Sequence, residues 1–372
     1  MGYRILVINW QDIRNPLGGG AEVHLHEIFK RIAQQGHEVT LLCCLHKELP
    51  SEETVDSIKI IRRGNRYFFN YLVPFIYRRL SRRYSFDVVI DDINKIPFYT
   101  PLFVKRPLLG IIHHLFGSSI FIEAPLPVAL YVTFAEWLIP KMYRTTPMVV
   151  VSNSTRQELV EKGFPEDSID LVYNAVDVTA YQAAPEKKSN QPVVGYLGRI
   201  KKYKSVNHLI HAFQKVKLEI PEASLLIVGD GDYLPRLKKL VRDLKLSDSV
   251  TFTGATYHQQ KIDYLNRMWL MVNPSPKEGW GLTVIEGNAC GIPVIAANSP
   301  GLRDSVVDGQ TGLLYPYGDV DRLAERIITL LKDHSLRNRL AAHCSPWAEK
   351  FNWENSAHDM LHAIEKALTR RF

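Results

Sequence analysis

The chain has 372 residues, too many for one ordinary hydrophobic core. Its 46% hydrophobic and 23% charged content is that of a folded globular protein, which excludes disordered and fibrous classes. The net charge of +7 favours anionic partners, such as nucleotides, anionic lipid head groups or nucleic acid, without choosing among them. Cys43, Cys44, Cys290 and Cys344 show no metal-ligand spacing and read as reduced core residues of a cytosolic protein. No signal-peptide pattern is visible at the N-terminus, and no apolar run reaches the roughly 18 residues of a membrane span.

Along the chain, two series of short apolar runs alternate with helical patterns, as parallel strands covered on both faces should. The first series is Arg4–Asn9, Glu38–Cys44, Asp87–Asp91, Leu108–His113 and Met148–Ser152. Gly18, Gly19 and Gly20 follow the first run and open a helix on which Val23, Leu25, Ile28, Phe29 and Ile32 recur at helical spacing. Glycines there let the backbone approach a ligand closely. They do not form a dinucleotide fingerprint, because its third glycine would fall on Val23.

Further on, Arg62, Arg63, Arg66, Arg78, Arg79, Arg82 and Arg83 surround Tyr67, Phe68, Phe69, Tyr71, Leu72, Phe75, Ile76 and Tyr77. This basic, aromatic stretch predicts docking on an anionic bilayer; the alternative is a buried helix whose arginines edge the core. Asp91 and Asp92 are adjacent in a strand and diverge, so no metal site is read there. His113 ends a buried strand at the edge where a cleft residue would sit, and could hydrogen-bond a sugar hydroxyl. His113 and His114 face opposite ways, and His113 is preferred. The segment Leu115 to Tyr143, with Phe116, Phe121 and Trp137, suggests an apolar acceptor wall.

Polar, proline-flanked residues 185–192 read as a linker. The expected domains are therefore 1–185 and 192–351, with a helix over about 352–372 that crosses back onto the first. The second series is Val193–Leu197, Ser224–Val228, Val250–Thr253, Leu270–Asn273, Pro293–Ala296 and Gly312–Tyr315, with helices near Val206–Glu219, Tyr233–Leu244 and Asp319–Leu331. Each domain is expected to be a doubly wound parallel sheet, with ligands at the carboxyl ends of its strands.

Chemistry concentrates in the second domain. Arg199 and Lys204 lie in a basic loop after its first strand, where a guanidinium can fork onto phosphate oxygens and an ammonium adds a point charge. Gly229 and Gly231 flank Asp230 at the end of the next strand, a turn that could admit a base or phosphate or could be an ordinary connection. Glu278 and Glu286 stand eight positions apart around a glycine turn that opens a helix near Leu282. Free backbone N–H groups and the helix dipole at such a start suit a phosphate. Acids on either side could grip the hydroxyls of a nucleotide sugar.

Taken in order, these residues resemble glycosyltransferase family 4, of the GT-B fold, over nearly the whole chain. Glu278 to Glu286 matches that family's E-x7-E motif; Gly198, Arg199 and Lys204 match its G-R-x4-K loop; and Gly19, Gly20, Ala21 and Glu22 match its G-G-x-E loop. Residues 293–314 resemble the segment after E-x7-E, and Phe351–Glu354 resembles the terminal crossover. The resemblance implies two Rossmann-like domains facing across a cleft and a retaining, metal-independent transfer from a nucleotide sugar. In that pattern Arg199 and Lys204 hold the diphosphate, aided by Gly198, the Gly281 and Leu282 amides and Thr283. Glu286 holds the ribose, Glu278 the donor sugar, Gly19 and Gly20 the phosphate from the other domain, and His113 sits by the transferred sugar. The expected partners are a UDP-sugar or GDP-mannose, a glycan, lipid or lipid-linked acceptor, and an anionic membrane surface, with no nucleic acid, no metal and no cofactor. Peripheral attachment to the inner face of the plasma membrane follows from these. The rivals are a basic membrane- or nucleic-acid-binding module and a nucleotide-sugar epimerase. Ser205 and Asp304 depart from the family's usual glycine and glutamate.

Overall fold

The computed structural model describes residues 2–94 and 96–370, apart from the side chain of His258. Positions 371 and 372, the end of the expected crossover helix, lie outside the described residues. The chain forms two compact units: residues 1–174 with the C-terminal segment from Trp353, and Ala175–Asn352.

The first unit is built on a sheet of eight strands: β1 (Arg4–Ile8), β2 (Glu38–Cys43), β3 (Glu52–Val55), β4 (Ile58–Arg62), β5 (Val88–Ile93), β6 (Leu108–Ile112), β7 (Met148–Val150) and β8 (Ile169–Leu171). Their spatial order is β3-β4-β2-β1-β5-β6-β7-β8, parallel except for the antiparallel β3–β4 edge. Burial of β5 and β6 along their whole length explains their apolar runs. β3 escapes that test because Glu52–Val55 is polar and half-exposed. The β6 strand stops at Ile112, so His113 stands just past its carboxyl end rather than within it.

The helix Gly20–Gln34 follows β1 and buries Leu25, Ile28, Phe29 and Ile32. The C-terminal helix Trp353–Thr369 packs on the same unit through Trp353, Ala357, Met360 and Ile364. Arg31 Nε donates to Glu354 at 2.8 Å, and the Ser356 hydroxyl donates to the Tyr173 carbonyl at 2.9 Å.

The second unit carries six parallel strands: β9 (Val193–Leu197), β10 (Ser224–Val228), β11 (Val250–Phe252), β12 (Leu270–Asn273), β13 (Val294–Ala297) and β14 (Gly312–Tyr315). Their order is β11-β10-β9-β12-β13-β14. The connection from β9 runs outward to β10 and β11 and then returns to β12. The β9–β12 pair is thus the point of reversal at which such sheets bind ligands.

Residues 185–192 are not where the units part. Pro185–Lys187 forms a short 3-10 turn. Lys188 donates to the Met268 carbonyl at 2.9 Å, the Trp269 indole donates to the Ser189 carbonyl at 2.8 Å, and the Ala184 N–H donates to Asn266 at 2.8 Å. The stretch lacks periodicity, yet its backbone is fastened to the second unit.

Arg62 also differs from expectation. Its side chain is fully buried and forms a fork onto Asp12, with Nε to Oδ2 at 2.7 Å and Nη2 to Oδ1 at 2.8 Å, plus a contact to Glu53 at 2.6 Å. Burial opposes its charge, but Asp12 and Glu53 outweigh that and raise its pKa. It is a core cross-link and leaves the set of surface arginines. All four cysteines are free and buried.

Candidate active site

In the second unit, β9 runs into the turn at Gly198 and Arg199. The Gly198 N–H donates to the Val228 carbonyl at 3.0 Å, and the Ile200 N–H donates to the Asp230 carbonyl at 2.8 Å. The buried Tyr196 hydroxyl donates to the Arg199 carbonyl at 3.0 Å, fixing the turn from beneath. Gly229 has φ +133°, and a Cβ there would stand 2.0 Å from the Gly198 carbonyl oxygen. That glycine therefore lets one turn lie directly on the other. The Arg199 side chain is exposed.

β12 runs into the loop that carries Glu278. Trp280 is buried in that loop, its ring 4.9 Å from Phe351 in an edge-on contact. Gly281 caps the helix Leu282–Ala289 in the left-handed region, φ +92°, and a Cβ would meet the Ser305 hydroxyl at 2.8 Å. Only glycine turns the chain there without strain. The first N–H groups of the helix, beginning at Leu282 and Thr283, lack partners in the preceding turn and so open toward an anion.

The charged groups converge on these two strand ends. Lys204 Nζ lies 2.5 Å from Glu278 Oε1, and both side chains are largely buried. Burial works against the Lys204 charge, but Glu278 outweighs it and raises the lysine's pKa. Arg199 acts electrostatically on Lys204 as well. One turn into the helix, Glu286 Oε1 accepts from Lys261 Nζ at 2.7 Å and from the Tyr181 hydroxyl at 3.1 Å. Burial and then Glu286 raise the pKa of Tyr181, which stays a hydrogen-bond donor. Sequence reasoning missed Tyr181 and Lys261. They lie 105 and 25 positions from Glu286, and no local pattern marks them.

In the first unit, the Gly19 N–H donates to Glu22 Oε2 at 2.6 Å, a capping interaction that starts the helix. Gly19 has spent its N–H in this way. Gly20 opens onto space, with nothing within 4 Å of where a Cβ would stand. His113 is buried, with Nε2 3.1 Å from Asp92 Oδ1, and its ring meets His24 edge-on at 5.0 Å. Asp91 points the other way, accepting from Thr100 at 2.6 Å and Tyr143 at 2.5 Å. Burial lifts its pKa to about 6. The two acids do diverge, and among the described residues no group of three or more His, Cys, Asp or Glu could hold a metal ion.

The same unit exposes an apolar, basic face. Helices Phe69–Arg83 and Leu126–Met142 touch through the Tyr71 and Tyr131 hydroxyls, 2.7 Å apart. Tyr67, Phe68, Phe75, Phe134 and Trp137 are all more than half exposed. Arg66, Arg78, Arg79, Arg82 and Arg83 are exposed beside them, while Arg63 pairs with Glu52. Among the described residues no helix is long and apolar enough to cross a membrane.

The profile described as Glycosyltransferase Family 4 matches residues 18–180, and that described as Glycosyl transferases group 1 matches residues 177–343. The chain belongs to glycosyltransferase family 4. Its fold is GT-B, with two α/β domains of Rossmann-like parallel sheets. It is 25% identical over 346 residues to N-acetyl-alpha-D-glucosaminyl L-malate synthase of Bacillus anthracis, covering 87% of this chain and 88% of that one. It is 28% identical to a GDP-mannose-dependent alpha-(1-6)-phosphatidylinositol monomannoside mannosyltransferase of Mycobacterium tuberculosis, over 57% of this chain and 60% of that protein. Among solved structures, sucrose-phosphate synthase from Thermosynechococcus elongatus superposes with a TM-score of 0.82 at 21% identity, over 98% of both chains, a likeness of fold. In this glycosyltransferase, Arg199 and Lys204 follow β9 and Glu278 follows β12.

Proposed function

We propose that this glycosyltransferase is a retaining, metal-independent hexosyltransferase. It would move a sugar from a UDP-sugar or GDP-mannose to a lipid, lipid-linked or glycan acceptor at an anionic membrane surface. The observation that carries the reading is the convergence of Lys204, Glu278 and Glu286 on the β9 and β12 ends around a glycine-capped helix start. A nucleoside diphosphate presents a dianionic middle with hydroxyls on both sides, and this array matches it.

We assign Arg199, Lys204, the Gly281 and Leu282 amides and Thr283 to the diphosphate. Their positive charge and aligned dipoles stabilise the leaving group, electrostatic work that a metal does elsewhere. Glu286 is assigned to the ribose and Glu278 to the donor sugar. Each would exchange its lysine for hydroxyls when the donor enters. Gly19, Gly20 and His113 are assigned to the transferred group. Same-face attack assisted by the leaving phosphate accounts for retention without a carboxylate nucleophile.

A lipid acceptor is supported by the exposed aromatics and five exposed arginines of the first unit. The phosphatidylinositol mannoside acceptor named for the Mycobacterium tuberculosis relative supports it too. On this reading the chain works as a peripheral protein on the inner face of the plasma membrane and needs no cofactor or nucleic acid.

The test is release of nucleoside diphosphate from UDP-, GDP- and ADP-sugars with EDTA and membrane lipid extract present, wild type against Glu286→Ala. Glu286-dependent release from one donor supports the reading and names that donor. Absence of release from every donor, with the folded chain still floating with anionic liposomes at low salt, replaces it with a binding module. Failure to float at all sinks the membrane assignment alone.

A further inference from the structure

Among the buried acids of the first unit, Asp92 is the one that touches His113. Asp92 lies fully buried on β5. Its Oδ1 meets His113 Nε2 at 3.1 Å, while Oδ2 has no hydrogen-bond partner. A carboxylate buried with one bare oxygen is costly unless a counter-charge sits beside it. Among the described residues, the cationic side chain in contact with it is His113.

The ring is held from several directions. His24, on the helix Gly20–Gln34, packs edge-on against it at 5.0 Å. Burial and then the His113 charge hold His24 well below the usual histidine range, so His24 is a neutral wall. Glu22 on the same helix adds a weaker pull on His113. From the helix Asn153–Glu161, the Thr155 hydroxyl contacts the His113 carbonyl at 3.4 Å. The C-terminal helix contributes Trp353, which packs on His24 and does not titrate.

We propose that Asp92 is a positioning residue for sugar transfer: it grips Nε2 of His113, fixes the ring plane and keeps the imidazole in its hydrogen-bond-donating form beside the donor sugar. This rests on the transferase reading and on the assignment of His113 to the transferred sugar. Burial alone would discharge His113, but the Asp92 charge and hydrogen bond outweigh it and raise its pKa above the ordinary value. The doubly protonated ring is therefore present at low pH and is lost only as pH rises through that raised value. Asp92→Asn keeps the shape and removes the charge, so the loss comes at lower pH.

The experiment pairs histidine-selective NMR titration of the full chain with kcat and KM against pH, using whichever donor proves active. In Asp92→Asn the His113 midpoint should fall by about one unit or more. The alkaline limb of kcat should move with it, costing about tenfold at a pH above both limbs. KM for the donor should hold, and Asp92→Asn should add no further loss in a His113→Gln background. An unmoved midpoint, an unmoved limb with uniformly lower kcat, or full additivity with His113→Gln would each overturn the proposal. If Asp92→Asn does not fold, the wild-type titration decides, since a His113 midpoint at or below about 6.5 contradicts it. Absence of turnover in the wild type with every donor, alongside the expected NMR midpoints, marks failure of the transferase reading instead, with the Asp92–His113 pairing intact.

Discussion

The two units hold their acids in opposite ways. In the second, Glu278 and Glu286 are paired with lysines, Lys204 and Lys261, whose heads sit on long flexible stems. In the first, Asp92 and Asp12 are fully buried against a ring or a forked guanidinium, in rigid geometry. Pairs of the first kind can be opened by an incoming ligand, because a hydroxyl or phosphate replaces what the pair gives up. Pairs of the second kind cannot be opened without leaving a buried charge bare. The second unit is thus arranged for exchange and the first for fixed placement, as the proposed donor capture and ring positioning would respectively demand.

The sharpest way to break this comparison is to remove one partner from each kind of pair. Arg62→Ala strips the fork from Asp12 and leaves a buried carboxylate. It should cost about 3–5 kcal/mol of stability, read as the midpoint of urea unfolding. A loss under about 1 kcal/mol would mean that Asp12 finds water or a proton, and that the first unit is less rigid than its geometry implies. Lys204→Ala should behave differently. Its pair keeps 15% of each side chain in solvent, unlike the fully buried Arg62–Asp12 fork, so the fold should survive, whereas kcat should fall roughly 100- to 1,000-fold through loss of charge at the leaving diphosphate. If instead the protein unfolds while residual activity is near normal, the Lys204–Glu278 pair is structural and the phosphate assignment is wrong.

The same contrast decides what could be read from the sequence. Features set by neighbours along the chain were legible. The strand Val193–Leu197 and the helix Val206–Glu219 fall where the periodicity puts them, and the helix after Gly281 begins at Leu282. Such features depend on local burial pattern and backbone conformation, which a run of residues encodes directly. Features set by distant pairs were not. His113 and its partner Asp92 are 21 positions apart, Arg62 and Asp12 50, and Lys204 and Glu278 74. Its basic sequence neighbours Arg63 and Arg66 place Arg62 among the surface arginines, and nothing local signals the buried Asp12 that claims it. The unit boundary, at Asn174 and Ala175, is hidden from the sequence for a related reason. The polar composition of 185–192 reads as a linker, but the hydrogen bonds from Lys188 and to Ser189 come from residues some 80 positions on.

The smallest expected effect is the most discriminating for the exchange idea. Glu286 Oε1 is shared by Lys261 and the Tyr181 hydroxyl. Tyr181→Phe deletes one neutral donor, keeps the ring over which the Lys261 ammonium sits at 5.0 Å, and leaves Lys261 in place. A hydrogen bond of this kind contributes about 1 kcal/mol, so donor KM should rise roughly fivefold. Ribose hydroxyls stay bound from ground state to transition state, so kcat should hold. A matched fall in kcat with constant KM would mean that the Glu286 end of the helix tightens only as the sugar leaves. That result would shift transition-state work from the Lys204–Glu278 end to the nucleoside end, and the second unit would then be gripping its donor during the chemical step rather than merely before it.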